Sequence, residues 1–228
     1  TLSGANTHSG VTTVNGGMLK IGNAGALGSG SVTVGSGSTS TASLDLNGFD
    51  TTRVMTLQGY GAGGTSTTGT VGALTNSSAT AVTASGNLGL GANATVGSSF
   101  GNINLGGTIS GAYVLTKVGT DTVTLTKNNN SYSGGTTLRA GTLVVPTTGS
   151  MGSGALNLGG FGTLDLQKVH TASSLSSTGG IIVNSSSDAS SLTVTGTSSL
   201  SGSITTKGTQ TYTGAVTLIG NATFTSND

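Results

Sequence analysis

The chain has 228 residues, enough for one ordinary domain or a short repeat array. Charged residues make up 6% of it against about 25% in an average protein, the formal net charge is +1, and Gly supplies 42 positions. Five Lys and two Arg scattered along the chain, with no basic patch and no aromatic interleaving, exclude a nucleic-acid binder. A 33% hydrophobic content and a mean hydropathy of +0.15 exclude a disordered linker. No apolar run approaches the roughly 18 residues that span a bilayer as a helix. Cys is absent, which fits passage across an envelope in the unfolded state. The chain opens at Thr1 inside a repeat pattern, as a mature or excised segment of something longer would.

In chain order, the predicted elements are short bursts of period two. They include Val32-Thr33-Val34, Leu44-Asp45-Leu46, Ile103-Asn104-Leu105, Val123-Thr124-Leu125 and Leu156-Asn157-Leu158. Leu164-Asp165-Leu166, Leu192-Thr193-Val194 and Val216-Thr217-Leu218 continue the series. Each burst puts two aliphatic side chains on one face and a small polar one on the other. Gly, Asn and Ser bracket the bursts as turn residues, and nothing sustains a helical period. Residues 59–100 carry the pattern most weakly, and a lateral insertion is expected there.

Internal repetition decides the architecture. Asn6 to Val14 matches Asn130 to Leu138, with His8 opposite Tyr132 and Thr12 opposite Thr136. Gly17-Met18-Leu19 then matches Gly141-Thr142-Leu143, and Leu27 to Gly35 matches Met151 to Gly159. Leu44-Asp45-Leu46 matches Leu164-Asp165-Leu166. The copies span residues 2–50 and 125–170, and a partial third covers 208–224. Such units suit a parallel β-helix, an all-β solenoid in which each coil hides its aliphatic face on its neighbours. At roughly 20 residues and about 4.8 Å per coil, residues 1–228 form a single rod about 50 Å long.

The run Gly134 to Leu143, preceded by Asn130-Ser131-Tyr132, resembles the passenger-associated transport repeat of bacterial autotransporters, and residues 4–35 resemble it equally. Gly208 to Val216 is similar to repeats of very large haemagglutinin-like adhesins. The resemblance implies a secreted or cell-surface passenger folded as a right-handed parallel β-helix. It says little about ligand, because the motif belongs to the scaffold.

Catalytic candidates are few. With no Glu, the carboxylates are Asp45, Asp50, Asp121, Asp165, Asp188 and Asp228. A β-helix glycosidase or lyase needs such groups clustered on one face. Asp45 and Asp165 hold equivalent repeat positions and read as outward-facing residues of Leu-Asp-Leu strands, with Asp50 near enough to share a surface with Asp45. His8, matched by Tyr132, reads as structural, and His170 is expected in a loop. Two distant histidines and no thiolate make no zinc site. Gly159 to Asp165 approaches a calcium β-roll repeat but is not tandem, and Gly59 to Gly64 is a glycine-rich turn, not a dinucleotide site. Asn93-Ala94-Thr95 is a chance sequon. Tyr60, Tyr113, Tyr132, Tyr212, Phe49, Phe100, Phe161 and Phe224 are expected to cap or fill the interior.

No catalytic, cofactor-binding or metal residue is therefore assigned. The expected role is an extracellular stalk, spacer or filament module that partners itself end to end or further repeats of its chain. Two rivals stand beside it: an adhesin binding host or matrix glycans along its side face, and, more distantly, a polysaccharide-degrading enzyme.

Overall fold

Strand partners lie one coil apart in sequence, about 20 residues in most pairings, as in Thr12 with Val32 and Val123 with Leu143, and more where Met55 meets Leu88. The computed structural model describes residues 1–65, 69–97 and 99–227. Among these residues every regular element is a strand, every strand pairing is parallel, and the strands stack as a solenoid of about 10 turns. Three ladders run along the rod. The first contains Thr12–Val14, Val32–Val34, Met55–Gly59, the start of Leu88–Val96, and Ile109–Ser110. It crosses two irregular coils, where Ser131 N donates to Ile109 O, and resumes in His170–Ala172, Leu192–Val194 and Gln210–Tyr212.

The second ladder runs from Met18–Lys20 through Ser43–Asp45, Leu74–Thr75 and the end of Leu88–Val96 to Leu115–Lys117. It continues through the first halves of Thr136–Val145 and Leu156–Leu166, then Leu175–Thr178. The third contains Val82–Ala84, Ile103–Leu105, Thr122–Leu125, the second halves of those two long strands, and Ile181–Val183. Ser198–Thr206 and Val216–Ser226 extend both the second and third ladders.

Period-two alternation sorts the side chains. Inward, Ile103, Val123, Leu143, Leu164, Ile182 and Ile204 form one continuous column, all buried. Each such side chain contributes about 1.5–3 kcal/mol by leaving water. Outward, Thr116, Thr137, Asn157, Ser176, Ser199 and Thr217 stack in register on the second ladder.

Residues 59–100 fall mostly within the stack. Gly59 pairs with Ala94 and Leu74 with Val96, so the chain leaves the second ladder at Gly59 and rejoins it at Leu74. The described residues off the ladder are 60–65 and 69–73, and Arg139 Nη1 donates to Thr65 O. Leu88–Val96 alternates with Gly and Ala, which is why the sequence pattern fades there.

The repeat copies share their contacts. His8 Nε2 lies 3.0 Å from Thr12 Oγ1, and Tyr132 OH lies 2.8 Å from Thr136 Oγ1. Asn6 Nδ2 donates to Ala26 O and Asn130 Nδ2 to Ser150 O, each at 2.7 Å. Gly28 lies against His8 and Gly152 against Tyr132, where a Cβ would run into the backbone oxygen and the ring. Yet Thr12 stands in the first ladder and Thr136 in the second, and Leu44 stands in the second and Leu164 in the third. Equivalent residues therefore lie on different faces.

Two buried groups depart from the aliphatic interior. Lys117 occupies the inward column between Val96 and Leu138. Its ammonium donates to Val118 O at 2.8 Å, Gly119 O at 2.9 Å and Asp121 Oδ1 at 2.6 Å. Burial pushes its pKa down, and Asp121 pulls it back up. Gly141, at φ 67°, passes so close to this group that a Cβ would press on Lys117 Nζ and the Asp121 carbonyl. His170 is a strand residue, not a loop residue, paired with Leu192. Burial first, and the Lys168 charge second, lower its pKa from 6.5 to about 4.

Replacing Tyr132 by Phe leaves the Thr136 hydroxyl buried without its ring partner and should cost about 1–2 kcal/mol in urea unfolding. Gly152→Ala should cost about 1–3 kcal/mol by overpacking the same clasp. For His170, the folded chain stays neutral while the unfolded chain takes up a proton below pH 6.5. Stability should fall as pH drops from 6.5 to about 4, by about 3 kcal/mol across that window, and His170→Leu should flatten this part of the melting-temperature profile.

Candidate functional site

The carboxylates expected outside are drawn into the turns. Asp45 Oδ1 accepts from Asn47 N and Ser77 N, each at 2.9 Å, and Oδ2 accepts from Ser77 Oγ at 2.6 Å. Lys20 Nζ stands 3.8 Å from the same oxygen. Asp165 repeats the arrangement with Ser185 N at 2.9 Å, Ser185 Oγ at 2.6 Å and Gln167 Nε2 at 2.8 Å. Both are buried, which corrects the outward-facing expectation: period two points them away from the aliphatic interior, but the following turn folds over them. Each carboxylate holds a serine one coil further on, so its oxygens are spent on the stack.

These acids do not converge. Asp45 belongs to the second ladder and Asp165 to the third. Asp50, although near Asp45 in sequence, is exposed and accepts from Thr83 N at 2.6 Å, whereas Asp45 bonds Ser77. Asp121 is held by Lys117, Asp188 is exposed in the turn after Ile181–Val183, and Asp228 lies outside the described residues. His8 is exposed beside Thr12, and His170 faces the interior. Among the described residues no group of three His, Cys, Asp or Glu could hold a metal. Gly159 to Asp165 lies within the strand Leu156–Leu166, and Gly59 to Gly64 runs from the end of the strand Met55–Gly59 into a turn, not into a helix. Asn93 Oδ1 accepts from Val114 N, so that residue also stitches two coils.

Of the aromatic residues expected inside, Tyr132 is fully buried, whereas Phe161, Phe100 and Tyr113 are exposed at 86%, 72% and 42%. Phe161 sits where Leu156–Leu166 bends between two faces, opposite Ala140, and the glycines around it leave no wall to cover it. Tyr212 and Phe224 meet edge to face at 5.8 Å, lining a shallow pocket with Gln210, Thr225 and Ser226. Burial raises the Tyr212 hydroxyl pKa to about 12.

One surface was invisible in the linear sequence. Arg53, Lys127, Lys168 and Lys207 all follow strands or bridges of the third ladder by one or two residues: Thr51, Leu125, Leu166 and Thr206. All four therefore stand on the edge between the third and first ladders. The signal lay in coil phase, which becomes readable only when the third-ladder strands are aligned.

A model of the passenger-associated-transport-repeat family matches residues 1–21 and 115–145, the segments that contain His8 with Thr12 and Tyr132 with Thr136. Over 145 residues, 62% of this chain, the sequence is 37% identical to "Adhesin BmaC autotransporter" of Brucella suis biovar 1 (strain 1330). The match spans 4% of that protein's length. No solved structure matches. Parallel stacked coils, and two segments that match the passenger-associated transport repeat and share one internal clasp, make the chain similar to the repeat regions of autotransporter passengers.

Proposed function

We propose that the chain serves as a rigid structural spacer within an exported surface protein, and that it carries out no catalysis. The observation behind this reading is the unbroken aliphatic column from Ile103 to Ile204 on the third ladder, beside the neutral stack from Thr116 to Thr217 on the outside of the second. A rod of this construction transmits position along its axis and offers few reactive groups to its sides. Similarity to an adhesin passenger supports export to the cell surface or the medium. A second reading, contact with a surface glycan through the side of the rod, is favoured by the same relative and by the edge that gathers four cations.

Electron microscopy of the native protein tests the spacer reading. Single rods about 50 Å long, from about ten coils at about 4.8 Å, are the expected result. Long uniform fibres would instead make it a filament subunit, and a globular particle would overturn both. Asp45→Ala and Asp165→Ala should each cost about 1–3 kcal/mol in urea unfolding, because each strands a serine N–H and hydroxyl beneath a turn. Polysaccharide turnover abolished by either substitution, with stability unchanged, would restore the enzymatic rival.

A further inference from the structure

The edge between the third and first ladders is continuous. Gly86 packs against the Arg53 carbonyl, and Asn87 Oδ1 accepts from Thr108 N at 3.1 Å. Thr108 Oγ1 donates to Asn129 Oδ1 at 3.1 Å, and Asn130 Nδ2 donates to Ser150 O at 2.7 Å. Lys168 Nζ reaches back to Gly149 O at 2.7 Å, and Lys207 Nζ to Ser186 O. Each contact joins one turn to the turn stacked beside it. The four cations thus form a line down one edge, separated by polar turns rich in Asn, Ser and Gly.

Elsewhere charge is mostly paired. Lys20 pairs with Asp45 and Lys117 with Asp121, and Arg139 lies off this edge. Asp165 stands beside the edge but is buried, its oxygens bonded to Gln167 and Ser185. On and beside the edge, the exposed carboxylates among the described residues are Asp188 and Asp50, against four cations. Lys127 is exposed, and Arg53, Lys168 and Lys207 are half-buried.

We propose that this edge binds a linear acidic polysaccharide laid parallel to the rod axis. Four features select that class. The cations are spread in a line rather than gathered in a pocket, which fits an extended polyanion and not a small ligand. Lys127, Lys168 and Lys207 are successively two coils apart, on the order of 10 Å at about 4.8 Å per coil, close to the length of one disaccharide. Arg53 stands three coils from Lys127, so its contact falls out of that phase. No aromatic residue lies on the turns of this edge to stack a base, which disfavours a single-stranded nucleic acid. Asn128, Asn129 and Ser150 supply neutral polar contacts for sugar hydroxyls between the charges. The inference deepens the side-face reading of function and is independent of the spacer reading, since a rod that binds nothing remains a rod by microscopy.

Fluorescence anisotropy on the whole chain tests it, with labelled heparin oligosaccharide and hyaluronan as probes, dextran as a neutral chain, and a single-stranded oligonucleotide. At low salt both acidic chains should bind and dextran should not, with affinity falling at least about tenfold as salt rises from about 20 to about 200 mM. Combined Lys127→Gln, Lys168→Gln and Lys207→Gln should weaken heparin binding at least about tenfold, while Arg139→Gln leaves it unchanged. Asp188→Asn should strengthen it severalfold, a gain that partial unfolding cannot produce. Absence of binding at low salt, an equal loss in Arg139→Gln, or tighter binding of the oligonucleotide at matched charge would each overturn the proposal. Circular dichroism of every variant separates lost binding from lost fold.

Discussion

Everything in this molecule depends on one spacing: parallel strands stacked about 4.8 Å apart, each hydrogen-bonded to the same face of the coil before and after it. That repeat places equivalent side chains almost on top of one another. Aliphatic residues profit, because each buries its neighbour, as Leu143 and Leu164 do. Thr, Ser and Asn are tolerated outside, since neutral polar groups can stack at this distance. Like charges cannot, and a chain with 6% charged residues is the compositional trace of that constraint. Lys117, on an inward column, survives because two backbone carbonyls and a carboxylate surround its ammonium.

The same spacing governs the corners. A coil must turn between faces without losing its bonds to the coils on either side, and side-chain oxygens do much of this work. Asp45 and Asp165 each seize the N–H and hydroxyl of a serine one coil away; Asn76, Asn130 and Asn184 bind backbone carbonyls and amides across turns. A short acceptor one methylene from the backbone can replace a missing strand partner, which a longer Glu side chain reaches less well. The absence of Glu alongside six Asp fits this use of carboxylates as turn anchors.

Much of this was legible in the residues. Val-Thr-Val and Leu-Asp-Leu bursts became strands, and the equivalence of His8 with Tyr132 reappeared as the same contact to Thr12 and Thr136. What the linear order concealed is phase. Coils vary in length, with Leu192 pairing to Gln210 but Met18 to Ser43, so the two repeat copies arrive on different faces. Asp45 and Asp165, equivalent in sequence, cannot share a site for that reason. Alternation told which way an Asp points relative to the core, but not that a turn would close over it. Nor did it separate an aromatic residue in the stack, Tyr132, from one at a glycine-lined bend, Phe161.

Phase also explains where interaction must lie. The ladder faces carry mostly neutral stacks such as Thr116 to Thr217, which offer a partner little to distinguish one coil from the next. Edges differ: turns vary in length and composition, side chains there escape the like-charge penalty by skipping coils, and Arg53, Lys127, Lys168 and Lys207 do so. A solenoid therefore concentrates its individuality along its edges, and a sequence that looks uniformly bland can present one continuous charged line. Recognition written this way is read along the rod, several coils at a time, which suits a polymer lying beside it better than any compact ligand.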